Sequence, residues 1–318
     1  MATRVSVLLP TYEPNPAHLK AAIESVFAQT VSEWFLFIHD DASVSDVLAM
    51  VEPYADDPRI GFRRSDTRQG IGNNWNACIP YIDGSFAQFL FQDDTWNPHY
   101  LERALAAMEQ DKSISMAATA HIYKNEGTKT LPAIYQEVED AQARIRPGKH
   151  SGQTFVVDWA EKGLRPNMVG EPSFVMLRKD TIEKAGFFRS NLPQGLDTDM
   201  WVRMLSLGNF FWIDEKLGTF RVHDKGASHQ NDLQGNGLLD RLICFETLLV
   251  FQKDAADRRK ISKAAASALA MMIRKYFKRK SAGNSTAGID KKLLRAFLFA
   301  HPIMVVQALL LILQSKEQ

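Results

Sequence analysis

The chain has 318 residues, 45% of them hydrophobic and 24% charged, and a formal net charge of +1. This is the composition of a soluble globular protein with room for one large domain and an appendage. Two distant cysteines, Cys78 and Cys244, exclude a disulfide framework and zinc-finger spacing and fit a reducing, cytoplasmic setting. The charge is unevenly spread: residues 241–318 hold 15 Lys or Arg against 5 Asp or Glu, and residues 1–240 hold 23 against 32. A basic tail on an acidic body points to an anionic surface as the tail's partner, a membrane or nucleic acid.

Val5–Leu9 is a short apolar run ended by Pro10 and reads as a buried strand, too short for the core of a signal peptide. His18–Gln29 has the apolar spacing of an amphipathic helix. Trp34–His39 is a second strand, followed by Asp40 and Asp41; Asp46–Tyr54 is a helix and Ile60–Arg64 a strand. Asn74–Ile82 is helical but interrupted by Pro80, Phe86–Phe91 is a strand with Asp93 and Asp94 just past it, and Leu101–Gln110 is a helix. Residues 124–168 lack a period and read as a long excursion or lid. Strands at Ser173–Leu177 and Phe210–Ile213 flank a helix at Thr198–Leu207. From Leu238 on, helices are expected over Leu238–Lys253 and Arg258–Lys280, then a linker at Ser281–Gly288 and an apolar stretch at Leu293–Leu313. The division is an α/β body at 1–237 and a helical region at 238–318.

Strand–helix alternation implies a mostly parallel sheet, and ligands of such sheets bind beyond the carboxyl ends of the strands. The pairs Asp40/Asp41 and Asp93/Asp94 both fall at such ends. A carboxylate pair there can hold a hard divalent ion, although a solvated turn or a helix cap is its ordinary role. Asp197 and Asp199 open a predicted helix. Capping is the stronger reading for Asp199, and for Asp197 it competes evenly with catalysis. His223 stands beyond a strand among polar residues, where a metal or phosphate contact is plausible.

Taken in order, VSVLLPTYEP, AAIESVFAQT, the Asp40-Asp41-Ala42-Ser43 strand end, RQGIGNNWNACI, FLFQDDTWNP, GEPSFVMLRKDTIEKAGFF, LDTDMWVRM and RVHDKGAS resemble the family 2 glycosyltransferases. The resemblance runs from Val5 to about His229. It implies a GT-A fold: a Rossmann-like, nucleotide-sugar-binding α/β domain with a mostly parallel sheet, here followed by a helical tail. It also implies an inverting transfer of a sugar from a nucleotide-diphosphate sugar to an acceptor hydroxyl. Donor binding falls to Pro10, Thr11, Tyr12, Glu13, Asp41, Gly70, Asn73 and Asp93, with Thr11, Tyr12 and Glu13 lining the nucleoside pocket. Asp94 and His223 are the implied contacts of a divalent cation, Mn²⁺ or Mg²⁺. Asp197 is the implied base, with Asp199 as the alternative. Three positions depart from the pattern: Ala42 replaces a usual Gly, Phe91 and Gln92 stand where an earlier Asp is common, and Leu196 replaces a Glu.

Two other readings are a nucleotidyltransferase or pyrophosphorylase, and a non-catalytic nucleotide-sugar-binding module. PTYEPNP in place of a Gly-rich basic loop argues against the first, and Asp93, Asp94 and Asp197 together argue against the second. The acidic body and the tail's lack of basic–aromatic interleaving argue against nucleic acid as a partner. By family analogy the acceptor is a carbohydrate or lipid-linked carbohydrate of bacterial surface polysaccharide or lipopolysaccharide synthesis. Residues 258–280 form a basic amphipathic helix, and Leu293–Leu313 approaches bilayer-spanning length but contains Arg295, His301, Pro302 and Gln307. A peripheral contact with the inner face of the cytoplasmic membrane and a hairpin packed on the body or in a homo-oligomer both remain open.

Overall fold

Strand β1 (Val5–Thr11) is buried at every position. Val5, Val7 and Leu9 enter one apolar core and Leu8 the other, as the two-residue period of a strand covered on both faces requires. The computed structural model describes residues 3–127, 130–223, 226, 231, 237, 239–283 and 291–314. Strands β2 (Trp34–Asp40), β3 (Ile60–Arg64) and β4 (Phe86–Phe89) extend the parallel pairing, with β1 between β2 and β4. The remaining strands are β5 (Thr95–Trp96), β6 (Ile114–Asn125), β7 (Gly148–His150), β8 (Val175–Arg178) and β9 (Asn209–Val222). Their order is β3-β2-β1-β4-β8-β6-β9-β5, with β7 paired to β9. Strand β8 runs against both β4 and β6, and β6 runs with β9, so β1–β4, β6 and β9 all point the same way. The result is a mixed, mostly parallel sheet with the carboxyl ends of six strands at one edge.

Helices cover both faces. On one side lie α1 (Pro16–Phe27), α2 (Val47–Val51) and α4 (Tyr100–Glu109); on the other α3 (Ile71–Cys78), α6 (Gly152–Glu161) and α8 (Leu196–Leu207). Helix α1 begins at Pro16, earlier than its apolar spacing suggests, because Asn15 accepts the amides of Ala17 and His18 and proline suits the first turn. Its Leu19, Ile23 and Val26 are buried, each stabilising the fold by about 1.5–3 kcal/mol. Short helices α5 (Ala133–Gln142) and α7 (Lys179–Ala185) complete the body.

The described residues of the expected excursion at 124–168 carry α5, β7 and α6. Helix α6 shows no clean stripe because α8, β9 and a C-terminal helix surround it, burying Phe155, Val156, Val157, Trp159 and Ala160. Strand β9 is far longer than Phe210–Ile213. A register shift opposite Thr119 and Ala120 leaves Asp214, Glu215 and Lys216 exposed, which hid the strand's alternation.

Beyond residue 239 come α9 (Asp240–Phe251), α10 (Ala255–Ser281), α11 (Lys291–Ala300) and α12 (Pro302–Gln314). Leu242, Phe245 and Leu269 share a core with Trp201 and Trp159, so α9 and α10 pack on the body. The expected helix start at Leu238, most of the linker Ser281–Gly288, and the motif residues after His223 other than Gly226 lie outside the described residues. Among the described residues no single helix is long and apolar enough to cross a membrane. The stretch near 293–313 is two helices bent by 101°.

Helix α6 starts where the chain leaves no room for a side chain: a Cβ on Gly152 would lie 1.9 Å from the carbonyl oxygen of Gly208. Gly152→Ala is therefore expected to lower unfolding free energy by about 1–3 kcal/mol in urea titration. An unchanged midpoint would show that the α6–α8 contact yields freely.

Candidate active site

Parallel pairing places the chain after β1, β2 and β4 side by side. After β1, the hydroxyl of Thr11 donates to Gln92 Oε1 at 2.5 Å, and the Tyr12 amide donates to the same oxygen at 2.9 Å. Gln92, a departure from the expected pattern, thus clamps the β1 loop to the β4 loop. Glu13 accepts from the Val44 amide at 2.5 Å and the Ser45 hydroxyl at 2.9 Å, and these bonds, Val44 first, hold its carboxyl below the usual range. Glu13 and Ala42 adopt left-handed backbone, φ 44° and 57°. The turn after Asp41 therefore keeps the conformation that glycine favours, at a cost of about 1–2 kcal/mol for alanine.

Asp40 is buried and accepts from the Ser43 hydroxyl at 2.5 Å. Asp41 accepts the amides of Gln69 and Gly70 at 2.6 and 2.8 Å, drawing the loop before α3 over the strand ends. Gly70, at φ 85°, is the residue just before α3. Of the two neighbouring asparagines, Asn73 is exposed and donates to Gln69 O at 3.1 Å. Asn74 is buried, bonded to His39 at 2.7 Å and to Thr11 O at 3.0 Å. The guanidinium of Arg68 lies 4.2 Å over the Tyr12 ring. Pro10 is inside β1, so the open wall begins at Tyr12 and Glu13.

The two carboxylates after β4 separate. Asp94 is 1% exposed; the Ser173 hydroxyl donates to it at 2.5 Å and the Arg221 amide at 3.3 Å. Burial drives its carboxyl well above the usual range, against the pull of Ser173. Asp93 stays half-buried, with His223 Nε2 3.2 Å from one oxygen and His18 Nδ1 3.7 Å from the other. His18 also reaches Glu126 at 3.1 Å. Glu126, bonded first to Lys124 and then to Arg221, is lowered to about 2. The structure thus joins His223 to Asp93 rather than to Asp94. Among the described residues no group of three or more His, Cys, Asp or Glu side chains is arranged to hold a metal ion. Asp93 and His223 supply one oxygen and one nitrogen, which fits an ion shared with phosphate oxygens and water.

Across from this edge, Asp197 sits in the first turn of α8. Asn167 donates to it at 2.8 Å and the Thr198 amide at 2.6 Å. It keeps some contact with solvent, yet protein surrounds it closely enough that desolvation, with Glu171 adding repulsion, raises its carboxyl to about 7. Glu171 is within electrostatic reach of both Asp197 and Asp94. Burial pushes Glu171 up, but His121 at 2.9 Å and the Tyr123 hydroxyl at 2.9 Å leave it net lowered. Segment 167–173 begins on Asp197 and ends on Asp94, so one short stretch of chain links the two carboxylates.

Asp199 is not brought to this space. It is fully buried, bonded to Arg203 at 2.7 Å and to the Thr247 hydroxyl at 2.8 Å, and it ties α8 to α9. The alternative assignment as base fails on that ground, since both its oxygens are engaged away from solvent. His18, Glu126, Glu171, Asn167, Ser173 and Arg221 joined the site without being singled out from sequence. They come from α1, just past the end of β6, segment 167–173 and β9, and only the tertiary fold brings them together.

A family model described as glycosyl transferase family 2 matches residues 6–165, half of the chain, and the protein belongs to that family. Its fold is GT-A. Over 122 residues it is 30% identical to an Escherichia coli UDP-Glc:alpha-D-GlcNAc-diphosphoundecaprenol beta-1,3-glucosyltransferase, WfgD, covering 38% of this chain and 47% of the relative. The chain spans 66%, 26% and 47% of the lengths of three curated relatives it matches. Among solved structures it resembles Staphylococcus aureus TarS 1-349 in complex with UDP-GlcNAc, with a TM-score of 0.66 and 14% identity over 96% of this chain and 82% of that one. It also resembles the mannosyltransferase PcManGT from Pyrobaculum calidifontis in complex with GDP-Man and Mn²⁺, with a TM-score of 0.58 and 14% identity over 99% and 88%. At such identities these likenesses concern the fold.

Removing the carboxylate of Asp199 leaves Arg203 buried without its partner. Asp199→Ala is expected to cost about 3–5 kcal/mol of stability, read from the urea midpoint at constant slope. A midpoint that stays in place would show that the pair does not tie α8 to α9.

Proposed function

We propose that this glycosyltransferase is an inverting enzyme that moves a sugar from a nucleoside-diphosphate donor to a hydroxyl of a lipid-linked or free carbohydrate acceptor. The observation that carries the reading is the carboxyl of Asp197, raised to about 7 and within electrostatic reach of the same Glu171 that acts on Asp94. A base with that affinity is half ionised near neutral pH, where it can both exist as carboxylate and take a proton. Names among the relatives and neighbours support a UDP-sugar as the first donor to test and surface-polysaccharide assembly as the setting.

In this mechanism Tyr12 and Arg68 form the wall for the nucleoside, with Thr11, Glu13 and Asp41 fixing the loops behind it. Asp93 and His223 would hold a divalent cation beside the donor's diphosphate; Asp94 anchors the loop through Ser173 and Arg221. When bound, the cation offsets charge gained by the departing diphosphate. His18 stands beside the same carboxylate and adds a donor toward the phosphates. Asn167 and the Thr198 amide orient Asp197, which takes the acceptor proton. The acceptor oxygen then bonds to the anomeric carbon on the face opposite the diphosphate, the carbon–oxygen bond to the diphosphate breaks, and the configuration inverts. A peripheral position at the inner face of the cytoplasmic membrane would suit a lipid-linked acceptor.

Two results are expected. With UDP-sugar donors, kcat/KM should rise with pH through about 7 as Asp197 loses its proton. Asp197→Asn should keep donor affinity, lower turnover roughly 10²–10⁴-fold and abolish that step. Near-normal turnover in the variant rejects the base. For the cation, Mn²⁺ titration followed by electron paramagnetic resonance in the presence of UDP should show affinity falling roughly tenfold or more in Asp93→Asn and in His223→Ala, and less in Asp94→Asn. A reversed order would return the ion to Asp94.

A further inference from the structure

Helix α12 packs one face on α10, burying Met304 and Ala308, and leaves the other open. That open face is apolar: Ile303, Val306, Leu310 and Leu313 are 75%, 57%, 52% and 61% exposed. Phe299, 87% exposed, continues it across the bend at His301, where Glu246 fixes the imidazole at 2.8 Å. The face runs on to Val250 and Ile303, which border a cavity of about 750 Å³ between α9, α10 and the bend. Scattered apolar residues on a surface need no account, but a contiguous face on two successive helices does.

Charge indicates what covers it. Arg274 donates to the Leu311 carbonyl at 3.0 Å, so α12 runs alongside α10 and ends near α10's carboxyl end. Lys278, Arg279 and Lys280 lie in that last turn, and α11 opens with Lys291 and Lys292. The last turn of α10, beside the end of α12, is therefore strongly basic, two further lysines open α11, and the outer side of α12 is apolar. The α11–α12 pair has the length and apolarity of a membrane segment yet is bent by 101°, so it suits lying in an interface rather than crossing it. We propose that the α11–α12 hairpin seats the protein on an anionic lipid bilayer, with Phe299, Ile303, Val306, Leu310 and Leu313 in the headgroup–acyl boundary and the basic end against acidic headgroups. A second copy of the chain would be served by the apolar face but not by the concentration of one sign of charge beside it.

The proposal does not depend on the catalytic reading, and Asp197→Asn protein should bind bilayers like the parent. The test uses the full chain, sedimented with vesicles of phosphatidylcholine alone or mixed with phosphatidylglycerol, at low and high salt. Binding to the mixed vesicles should exceed binding to neutral ones roughly tenfold or more and weaken with salt. Val306→Glu/Leu310→Glu should abolish it, and Lys278→Glu/Lys280→Glu should remove the preference for anionic lipid. The altered side chains are exposed, so circular dichroism and thermal midpoint should match the parent. Equal vesicle binding by Val306→Glu/Leu310→Glu overturns the proposal. So does a parent that ignores vesicles, including one that forms a dimer which this variant dissociates in analytical ultracentrifugation.

Discussion

A carboxyl group removed from water must find partners, and Asp94 finds them on two strands distant in sequence. Ser173 comes from the turn leading into β8 and Arg221 from the end of β9. The same Arg221 side chain donates to the Asp93 carbonyl and to Glu126. This knot fixes the ends of β4, β6 and β9 at one edge of the sheet. Everything the edge presents depends on it: Asp93 and His223 face each other only because β9 is held there, and segment 167–173 reaches Asp197 only because its far end is anchored at Ser173. A well-satisfied buried polar group of this kind sets geometry more than it adds net stability.

Two residues separate Asp197 from Asp199, and a helix turns them to different surroundings. Asp199 points into the seam between α8 and α9 and receives Arg203 and Thr247. Asp197 points toward segment 167–173 and accepts from Asn167 there and from the Thr198 amide of its own helix, with no cation at bonding distance among the described residues. Burial therefore acts on Asp197 unopposed by a positive charge, and Glu171 adds to it. Glu171 is itself kept ionised by His121 and Tyr123. Burial sets the poise of one carboxyl, and a second one, whose partners lie on β6, raises it further.

The C-terminal helices divide by what they bury. Helices α9 and α10 complete the apolar core on the α8 side of the sheet, through Phe245 and Leu269. Helices α11 and α12 give that core little and keep most of their apolar surface outward. A helix whose apolar side faces solvent must be compensated by another surface.

Alternation and strand-end carboxylates made the sheet, its parallel run and the edge that matters legible from residues alone. β1, β2 and β4 are buried on both faces, so their apolar runs are unbroken; Asp40 ends β2, Asp41 follows it, and Asp93 and Asp94 lie in the loop after β4. Where the structure exceeds that reading, the signal was spread over partners far apart. Helix α6 has no stripe because three elements surround it, and β9 hides its period behind a register shift. Residue type and spacing, which follow local backbone geometry, determined the fold class and the candidate carboxylates. Tertiary contact alone decided that Asp94 is buried while Asp93 meets His18 and His223, and that Asp197 keeps contact with solvent while Asp199 is sealed between α8 and α9, because burial and charge act through space.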